Sequence, residues 1–166
     1  MSAIPFENQP VFVEGVRTPF LDSAGAYSPL MSYELGARAI AALMDRAHVD
    51  PHHLGLVVMG TVLHEINTTN VARECMLAAG LPSTIPAYTV AMAGISPSVG
   101  VANLCDMISL GRVEMGIAGG TENFSDVPVR LSQNVRRSLM KIRQSRSTQD
   151  RLKVLGSLRP RDLLLD

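Results

Sequence analysis

The stretch TVAMAGISPSVGVANL, from Thr89 to Leu104, runs from a β-branched segment through a short turn into a helical segment. Pro97 suits the first turn of a helix, where its missing N–H leaves no donor unpaired. At a sharp turn from a strand into a helix, the first backbone N–H groups of the helix are free and the positive end of the helix dipole lies at the turn. Both favour the binding of an anion there. The stretch therefore predicts a functional turn, with Gly94 and Ser96 as the candidate residues.

Short apolar strands and helical segments alternate on both sides of this turn. The predicted strands are Val11–Val16, Leu54–Met59, Ala87–Met92 and Glu114–Ala118. The predicted helices are Ser32–Ala47 with Ser32 as N-cap, Asn70–Ala79 with Asn70 or Thr69 as its cap and Gly80 as its stop, and Pro97–Leu110 followed by Gly111. This alternation predicts the α/β class, with a parallel-rich sheet sandwiched by helices.

Ligands of parallel sheets bind beyond the carboxyl ends of the strands. Those ends fall in the segments 17–19, 60–61, 93–96 and 119–122. Gly119, Gly120 and Glu122 therefore join Gly94 and Ser96 as candidates for a substrate pocket. The Gly119-Gly120 pair does not form GxGxxG, and its plain interpretation is a close approach of two backbone segments.

Charge divides the chain into two parts. Residues 1–129 contain five basic and twelve acidic residues, a net charge of −7, whereas residues 130–166 contain ten basic and three acidic residues, a net charge of +7. We predict domains at 1–126 and 127–166, the second formed by two amphipathic helices that meet around 145–150. Its candidate binding residues are Arg136, Arg137, Lys141 and Arg143. A solvated helix face, an anionic membrane or phosphate surface, and a nucleic-acid patch are all compatible with such a segment. The lack of interleaved aromatic residues argues against nucleic acid.

Cysteine and histidine spacing gives little sign of further chemistry. Cys75 and Cys105 form no CxxC motif, and both are expected to pack as small buried hydrophobes in a reducing compartment. The histidines at 48, 52, 53 and 64 lack metal-ligand spacing, so no metal is expected. No apolar run approaches a membrane span, and residues 1–10 show neither a secretory signal nor a transit peptide. A cytoplasmic protein is the prediction, with a peripheral membrane position or the mitochondrial matrix left open.

Two further interpretations stay open. Ser96 is a nucleophile only if a general base lies within hydrogen-bond reach, and a capping serine is the commoner alternative. Asn70 and Arg73 are separated by one helical turn. They either hold a loop or a neighbouring subunit near a pocket, or Arg73 simply faces solvent.

Four stretches of the chain resemble the thiolases. The similarity is greatest to the β-subunit type of the fatty-acid oxidation trifunctional proteins. The stretches are VRTPF (16–20), GTVLHEINTTNVARE (60–74), AAGLPSTIPAYTVAMAGIS (78–96) and AGGTENFSDVPVRLS (118–132). A weaker match continues through 151–152 and 159–163 into the start of that family's loop domain. The resemblance implies an incomplete first half of the two-half thiolase fold, because the first half's last strand and the whole second half lie beyond residue 166. An incomplete sheet predicts a chain of marginal stability that needs a partner.

The resemblance also implies the chemistry. Thiolases cleave or form 3-ketoacyl-CoA, and a cysteine on the third strand-to-helix turn takes the acyl group. Gly94 occupies that position here, so the isolated chain is expected to be inactive. The ligand is a coenzyme A thioester with no separate cofactor. The implied partners are a second copy paired through 87–92, or the missing half, and a hydratase/dehydrogenase α-subunit. A non-catalytic acyl-CoA-binding or scaffold protein is the main alternative, and a membrane-surface module is a weaker one.

Overall fold

A computed structural model of the chain describes residues 9–125, 127–128, 131–159 and 162. The chain divides into two compact units, Met1–Val127 and Pro128–Asp166. Residues 1–8, on which the predicted lack of a targeting signal largely rests, lie outside the described residues. Residues 160, 161 and 163 of the loop-domain match also lie outside them.

The first unit contains a parallel sheet of three strands in the order β2-β1-β3, where β1 is Leu56–Gly60, β2 is Ala87–Val90 and β3 is Gly116–Gly120. Val57 of β1 pairs with Ala87 on one side and with Ile117 on the other. All five residues of β1 are buried, as expected for an apolar central strand covered on both faces. The predicted parallel α/β class is therefore confirmed.

Three helices of this unit cover the two faces of the sheet: α1 (Ser32–Ala47), α2 (Val71–Ala78) and α3 (Ser96–Ser109). Side chains of β1 alternate between the faces. Val57 and Met59 join the core formed with α1 and α2, while Leu56 and Val58 pack with Leu104 of α3. The result is a three-layer arrangement with α1 and α2 on one face and α3 on the other.

Local signals set most helix ends. Asn70 caps α2 by accepting a hydrogen bond from the backbone N–H of Arg73 at 3.2 Å. Gly80 follows α2 with φ of 80°, and Gly111 follows α3 with φ of 66°, a conformation that glycine adopts without strain.

The start of α1 differs from the prediction. Met31 occupies the N-cap position instead of Ser32. The carboxylate of Glu34 accepts from the Met31 N–H at 2.7 Å, and Glu65 accepts from the Ser32 N–H. Acidic side chains thus take the role expected of the Ser32 hydroxyl, whose Oγ is buried without a hydrogen-bond partner in the described part of the chain.

The predicted first strand, Val11–Val16, is wrong. This segment has no regular secondary structure, and the side chains of Val11, Phe12 and Val13 are 79%, 84% and 68% exposed. β-Branched residues form a strand only where a neighbouring strand completes the hydrogen-bond ladder, and none of the described strands pairs with this segment.

The second unit contains α4 (Gln133–Gln144) and α5 (Thr148–Gly156), which match the two predicted amphipathic helices. Ser132 caps α4 by accepting from the Val135 N–H, and Ser147 caps α5 by accepting from the Gln149 N–H. Val135 is the buried residue of α4. Among the helices of the described residues, none has the length and apolar character needed to cross a bilayer.

Candidate functional site

The predicted turn lies between β2 and α3. Ala93 has φ of 49°, a left-handed conformation that non-glycine residues rarely adopt. The N–H of Ile95 donates to the Met92 carbonyl at 3.3 Å, and the N–H of Ser96 donates to the Ala93 carbonyl at 3.1 Å. Two of the N–H groups expected to face an anion are therefore used inside the turn itself.

Ser96 holds this turn together. Its hydroxyl donates to the Ala93 carbonyl at 2.6 Å and accepts from the Met92 N–H at 2.8 Å, and the residue is only 1% exposed. Ser96 is the first residue of α3, and Ile95 occupies the N-cap position. The capping interpretation is thus replaced by a turn-stabilising role. The buried hydroxyl, with both hydrogen bonds made to backbone, is poorly placed to act as a nucleophile.

Gly94 is exposed in this turn. A Cβ atom built at Gly94 would meet no other atom within 4 Å. Its φ lies outside the left-handed range, so an L side chain fits its backbone conformation. Position 94 therefore has room for a side chain and has none.

Two other glycines bring the strand ends against α3. A Cβ at Gly60, the last residue of β1, would lie 2.6 Å from the Pro97 nitrogen, and a Cβ at Gly120, the last residue of β3, would lie 2.4 Å from Pro97 Cγ. Any larger residue would push the first turn of α3 away from the sheet. These glycines fix the position of the turn that carries Gly94.

A cleft of about 790 Å³ opens at this end of the sheet. Four of the predicted pocket residues line it: Gly94, Ser96, Gly120 and Glu122. Its opposite wall is the loop before α1, where the guanidinium of Arg17 lies 3.7 Å from the centre of the Phe20 ring. The structure thus brings residues from three of the predicted strand-end segments and from the loop at 17–19 to one cleft.

Glu122 organises the cleft rim. Its carboxylate accepts from the N–H groups of Val62 at 2.7 Å and Leu63 at 3.1 Å, and from the Thr61 hydroxyl at 3.3 Å. These three hydrogen bonds hold the Glu122 carboxylate against the loop after β1, so Glu122 fixes that loop.

Asn70, Arg73 and Gly119 do not line this cleft. Besides capping α2, Asn70 donates to the Ala87 carbonyl at 2.9 Å and accepts from the Thr89 hydroxyl at 3.0 Å. Arg73 donates to the carbonyls of Ser83 at 2.8 Å and Ile85 at 3.1 Å. Of the interpretations left open, these bonds favour holding a loop, because both side chains fasten the segment before and along β2 to α2.

Residues that sequence reasoning missed fasten the loop before α1. The Thr121 hydroxyl donates to the Ser32 carbonyl at 2.5 Å, and the Asn123 amide donates to the carbonyls of Tyr27 at 3.0 Å and Leu30 at 2.6 Å. The available signal was the polar sequence Thr-Glu-Asn at 121–123, directly after β3. Its partners, however, are carbonyls about ninety residues earlier in the chain, which no local pattern identifies.

Cys75 behaves as predicted. It is fully buried in the core, and burial, with a smaller contribution from Glu65, raises the pKa of its thiol to about 12. Cys105 is half-buried on α3. In the part of the chain that the structure describes, no group of three or more His, Cys, Asp or Glu side chains could hold a metal ion.

The basic candidates of the second unit are all exposed on α4. Arg137 and Lys141 line a second cleft, of about 350 Å³, whereas Arg136 and Arg143 lie outside its lining. Arg159 and Asp162 also line this cleft.

The fold and the first cleft define an α/β protein with a cleft beyond the carboxyl ends of its parallel strands, against the amino end of a helix, which is where ligands of such sheets bind. Residues 10–159 match the family described as "Thiolase, N-terminal domain". The chain therefore belongs to the thiolase family, as its motifs indicate.

Individual relatives agree with this assignment. The chain is 37% identical over 159 residues to a "Probable 3-ketoacyl-CoA thiolase" of Caenorhabditis elegans, covering 95% of this chain and 36% of the relative. It is 38% identical over 149 residues to the mitochondrial "Trifunctional enzyme subunit beta" of Mus musculus, covering 90% and 31%. The crystal structure of the Bacillus anthracis acetyl-CoA acetyltransferase superposes with a TM-score of 0.71 at 31% identity, over 74% of this chain and 31% of that one. The chain thus spans about a third of the length of these relatives.

Proposed function

We propose that the cleft beside Gly94 binds an acyl-CoA thioester and that no acyl group is transferred to position 94. The observation that carries the proposal is the open space at Gly94, which lines the cleft. The resemblance to the thiolases implies that this is the position of their acyl-accepting cysteine. Family membership and the names of the relatives support the ligand class.

The lining of the cleft suits a thioester. Phe20, Leu21, Val62 and Phe124 contribute apolar surface for an acyl chain. Acyl transfer requires a thiol or hydroxyl to attack the thioester carbonyl and release coenzyme A as its thiol. Glycine has no such group, and the Ser96 hydroxyl is committed to the turn. Binding without acylation of residue 94 is therefore the function that this turn supports.

Calorimetry combined with intact-protein mass spectrometry tests the proposal. The wild-type chain should give saturable heat with a medium-chain acyl-CoA and show no mass increase after incubation. Gly94→Phe should abolish the heat by filling the cleft. Gly15→Phe is the matched control, because Gly15 also has nothing within 4 Å of a Cβ and lies outside the cleft. Absence of heat with the wild-type chain, or equal binding by both variants, would refute the proposal.

A second candidate is thiolase-type acyltransferase activity, which the family membership favours. Gly94 argues against it for this chain, so we expect no thiolysis of a 3-ketoacyl-CoA by the purified protein. Turnover above the no-enzyme background would contradict that expectation. Gly94→Cys, supplied with the carboxyl-terminal half of a related thiolase, distinguishes a lost nucleophile from a lost architecture.

A third candidate is association of the second unit with an anionic membrane surface. The specific observation is that α4 exposes Leu139 and Met140 beside its basic residues, and α5 exposes Leu152 and Leu155. The protein would then sediment with anionic vesicles at low salt. Its complete recovery in the supernatant removes this candidate.

Partners are proposed on the same basis. β2 is an edge of the described sheet and exposes Tyr88, and Met92 just beyond it is also exposed, so we propose that it pairs with a second copy of the chain. The name of the relative "Trifunctional enzyme subunit beta" suggests association with another subunit, and the resemblance implies that this is a hydratase/dehydrogenase α-subunit. Sedimentation equilibrium that shows only monomer at tens of micromolar would contradict the homodimer.

A further inference from the structure

The loop before α1, which forms one wall of the 790 Å³ cleft, places a cation against an aromatic ring. The Cζ atom of Arg17 lies 3.7 Å from the centre of the Phe20 ring, and both residues line the cleft. This cation–π contact uses the flat face of the guanidinium. The N–H donors of a guanidinium lie in its plane, so stacking on the ring orients them and leaves them free to bind an acceptor.

The side chain of Arg17 has no acceptor among the residues that the structure describes. Neither of the ion pairs found there includes it, and none of the side-chain hydrogen bonds there comes from it. Asp22 lines the same cleft without pairing with Arg17. Arg73 shows the more usual arrangement, because its guanidinium donates to two backbone carbonyls. Arg17 is therefore an oriented donor that lacks a partner.

The wall that carries Arg17 is joined to the segment after β3. The Asn123 amide donates to the carbonyls of Tyr27 and Leu30, and the Ser125 hydroxyl accepts from the Ala24 N–H at 3.0 Å. These bonds close the loop against the end of the sheet without any ligand. A donor on a wall that is already in place loses less conformational entropy when a ligand binds.

The neighbours of Arg17 in the cleft decide which ligand suits it. Phe20, Leu21 and Phe124 offer apolar surface, and an acyl chain lying on them would displace water from the guanidinium. A chain that ends in a methyl group gives no acceptor in return, which is costly for a charged donor. A terminal carboxylate replaces the lost water with two parallel charge-assisted hydrogen bonds.

We propose that the cleft selects acyl thioesters whose acyl chain ends in a carboxylate, and that Arg17 binds this carboxylate. The selection rests on the thioester binding proposed above, with the thioester beside Gly94 and the distal end of the chain at the wall formed by the loop before α1. A single carboxylate suits the site better than a phosphate dianion, because the carboxylates of Asp22 and Glu122 share the lining and repel the higher charge more strongly.

Calorimetry with two ligands on the full 166-residue chain tests the proposal. Hexanoyl-CoA and hexanedioyl-CoA have the same chain length, and only the second ends in a carboxylate. Arg17→Gln removes the charge, whereas Arg17→Lys keeps it without the planar fork. Arg112→Gln is the matched control, because Arg112 is an exposed arginine just before β3, near the amino ends of the strands and outside the cleft. Circular dichroism confirms that each variant keeps the wild-type helix content.

The wild-type chain should bind hexanedioyl-CoA about tenfold tighter than hexanoyl-CoA, or more, because one bidentate charge-assisted contact is added. Arg17→Gln should bind the two ligands within about threefold of each other and bind hexanoyl-CoA at least as well as the wild type. Arg17→Lys should keep only part of the preference, and Arg112→Gln should keep all of it.

Two results would overturn the selection while leaving thioester binding intact. The first is equal binding of the two ligands by the wild-type chain. The second is an equal loss of both ligands in Arg17→Gln, because Arg17 would then hold the coenzyme A part that they share. Absence of heat with either ligand would instead refute thioester binding itself, and the selection with it.

Discussion

Replacing Gly60 by alanine should destabilise the first unit, although the change adds only one methyl group. The new Cβ would lie 2.6 Å from the Pro97 nitrogen, and ordinary contacts begin at 3.4 Å. About 0.8 Å of movement is therefore needed, and the obstructing atoms include backbone of the first turn of α3. Overpacking of this kind costs about 1–3 kcal/mol. Alanine also lowers the conformational entropy of the unfolded chain, which offsets about 0.4–1 kcal/mol of this cost. We therefore expect a net loss of about 1–2 kcal/mol in the free energy of unfolding.

Gly94→Ala is the matched control, because its Cβ meets nothing within 4 Å. It should be neutral or slightly stabilising, by at most about 1 kcal/mol. Urea unfolding followed by far-ultraviolet circular dichroism separates the two variants. A difference of about 2 kcal/mol moves the midpoint by about 1 M at typical m-values. Midpoints that agree within about 0.2 M, or a Gly60→Ala variant more stable than wild type, would refute the close-approach argument.

Three other changes test separate parts of the fold. Ser96→Ala should lower the free energy of unfolding by about 1–3 kcal/mol, since it leaves the Met92 N–H without its acceptor and removes one of the two donors to the Ala93 carbonyl, and the exposed Ser98→Ala should stay near wild type in the same urea experiment. Asn70→Ala should cost a similar amount, about 1–3 kcal/mol, because it removes a helix cap and two further hydrogen bonds; an unchanged melting temperature would contradict this. Burial raises the pKa of the Cys75 thiol from 9.0 to about 12 in the folded state. The thiol of the unfolded chain therefore loses its proton at a lower pH than the folded one. The contribution of Cys75 to stability is fully present below pH 9 and is lost as the pH rises towards 12, by up to about 1.4 kcal/mol per pH unit. Cys75→Ala should therefore show a smaller decrease in stability over that range than wild type, and parallel pH profiles would rule out a contribution from this thiol.

Local patterns predicted the parts of the fold that local physics determines. The all-apolar β1 segment, the Asn70 cap and the glycine stop at Gly80 appear in the structure as expected. The segment 11–16 has equally strong β-propensity and forms no strand, because a strand depends on its neighbour as well as on its own residues. The prediction of Ser32 as the N-cap was wrong for a related reason, because the start of α1 also depends on a distant residue. Glu65, thirty-three residues away, reaches the start of α1 and takes the hydrogen bond.

The position of the cleft was more predictable than the contacts within it. Strand ends indicated the correct edge of the sheet, and Gly94, Ser96, Gly120 and Glu122 meet there. The roles of Ser96 and Glu122 were not readable from sequence, because each depends on a backbone group presented by a turn or a neighbouring loop. The sequence also did not predict which basic residues of α4 line the second cleft, because that depends on where the segment carrying Arg159 lies.

The turn at residue 94 keeps its shape through contacts made by other residues. The Ser96 hydroxyl bridges its backbone, and Gly60 and Gly120 allow the sheet to approach it. A mutation that removes the side chain at 94 therefore meets little selection against it from folding. The shape of the turn and the identity of residue 94 are therefore independent of each other, so a side chain can be added or removed at this position without rebuilding the backbone around it.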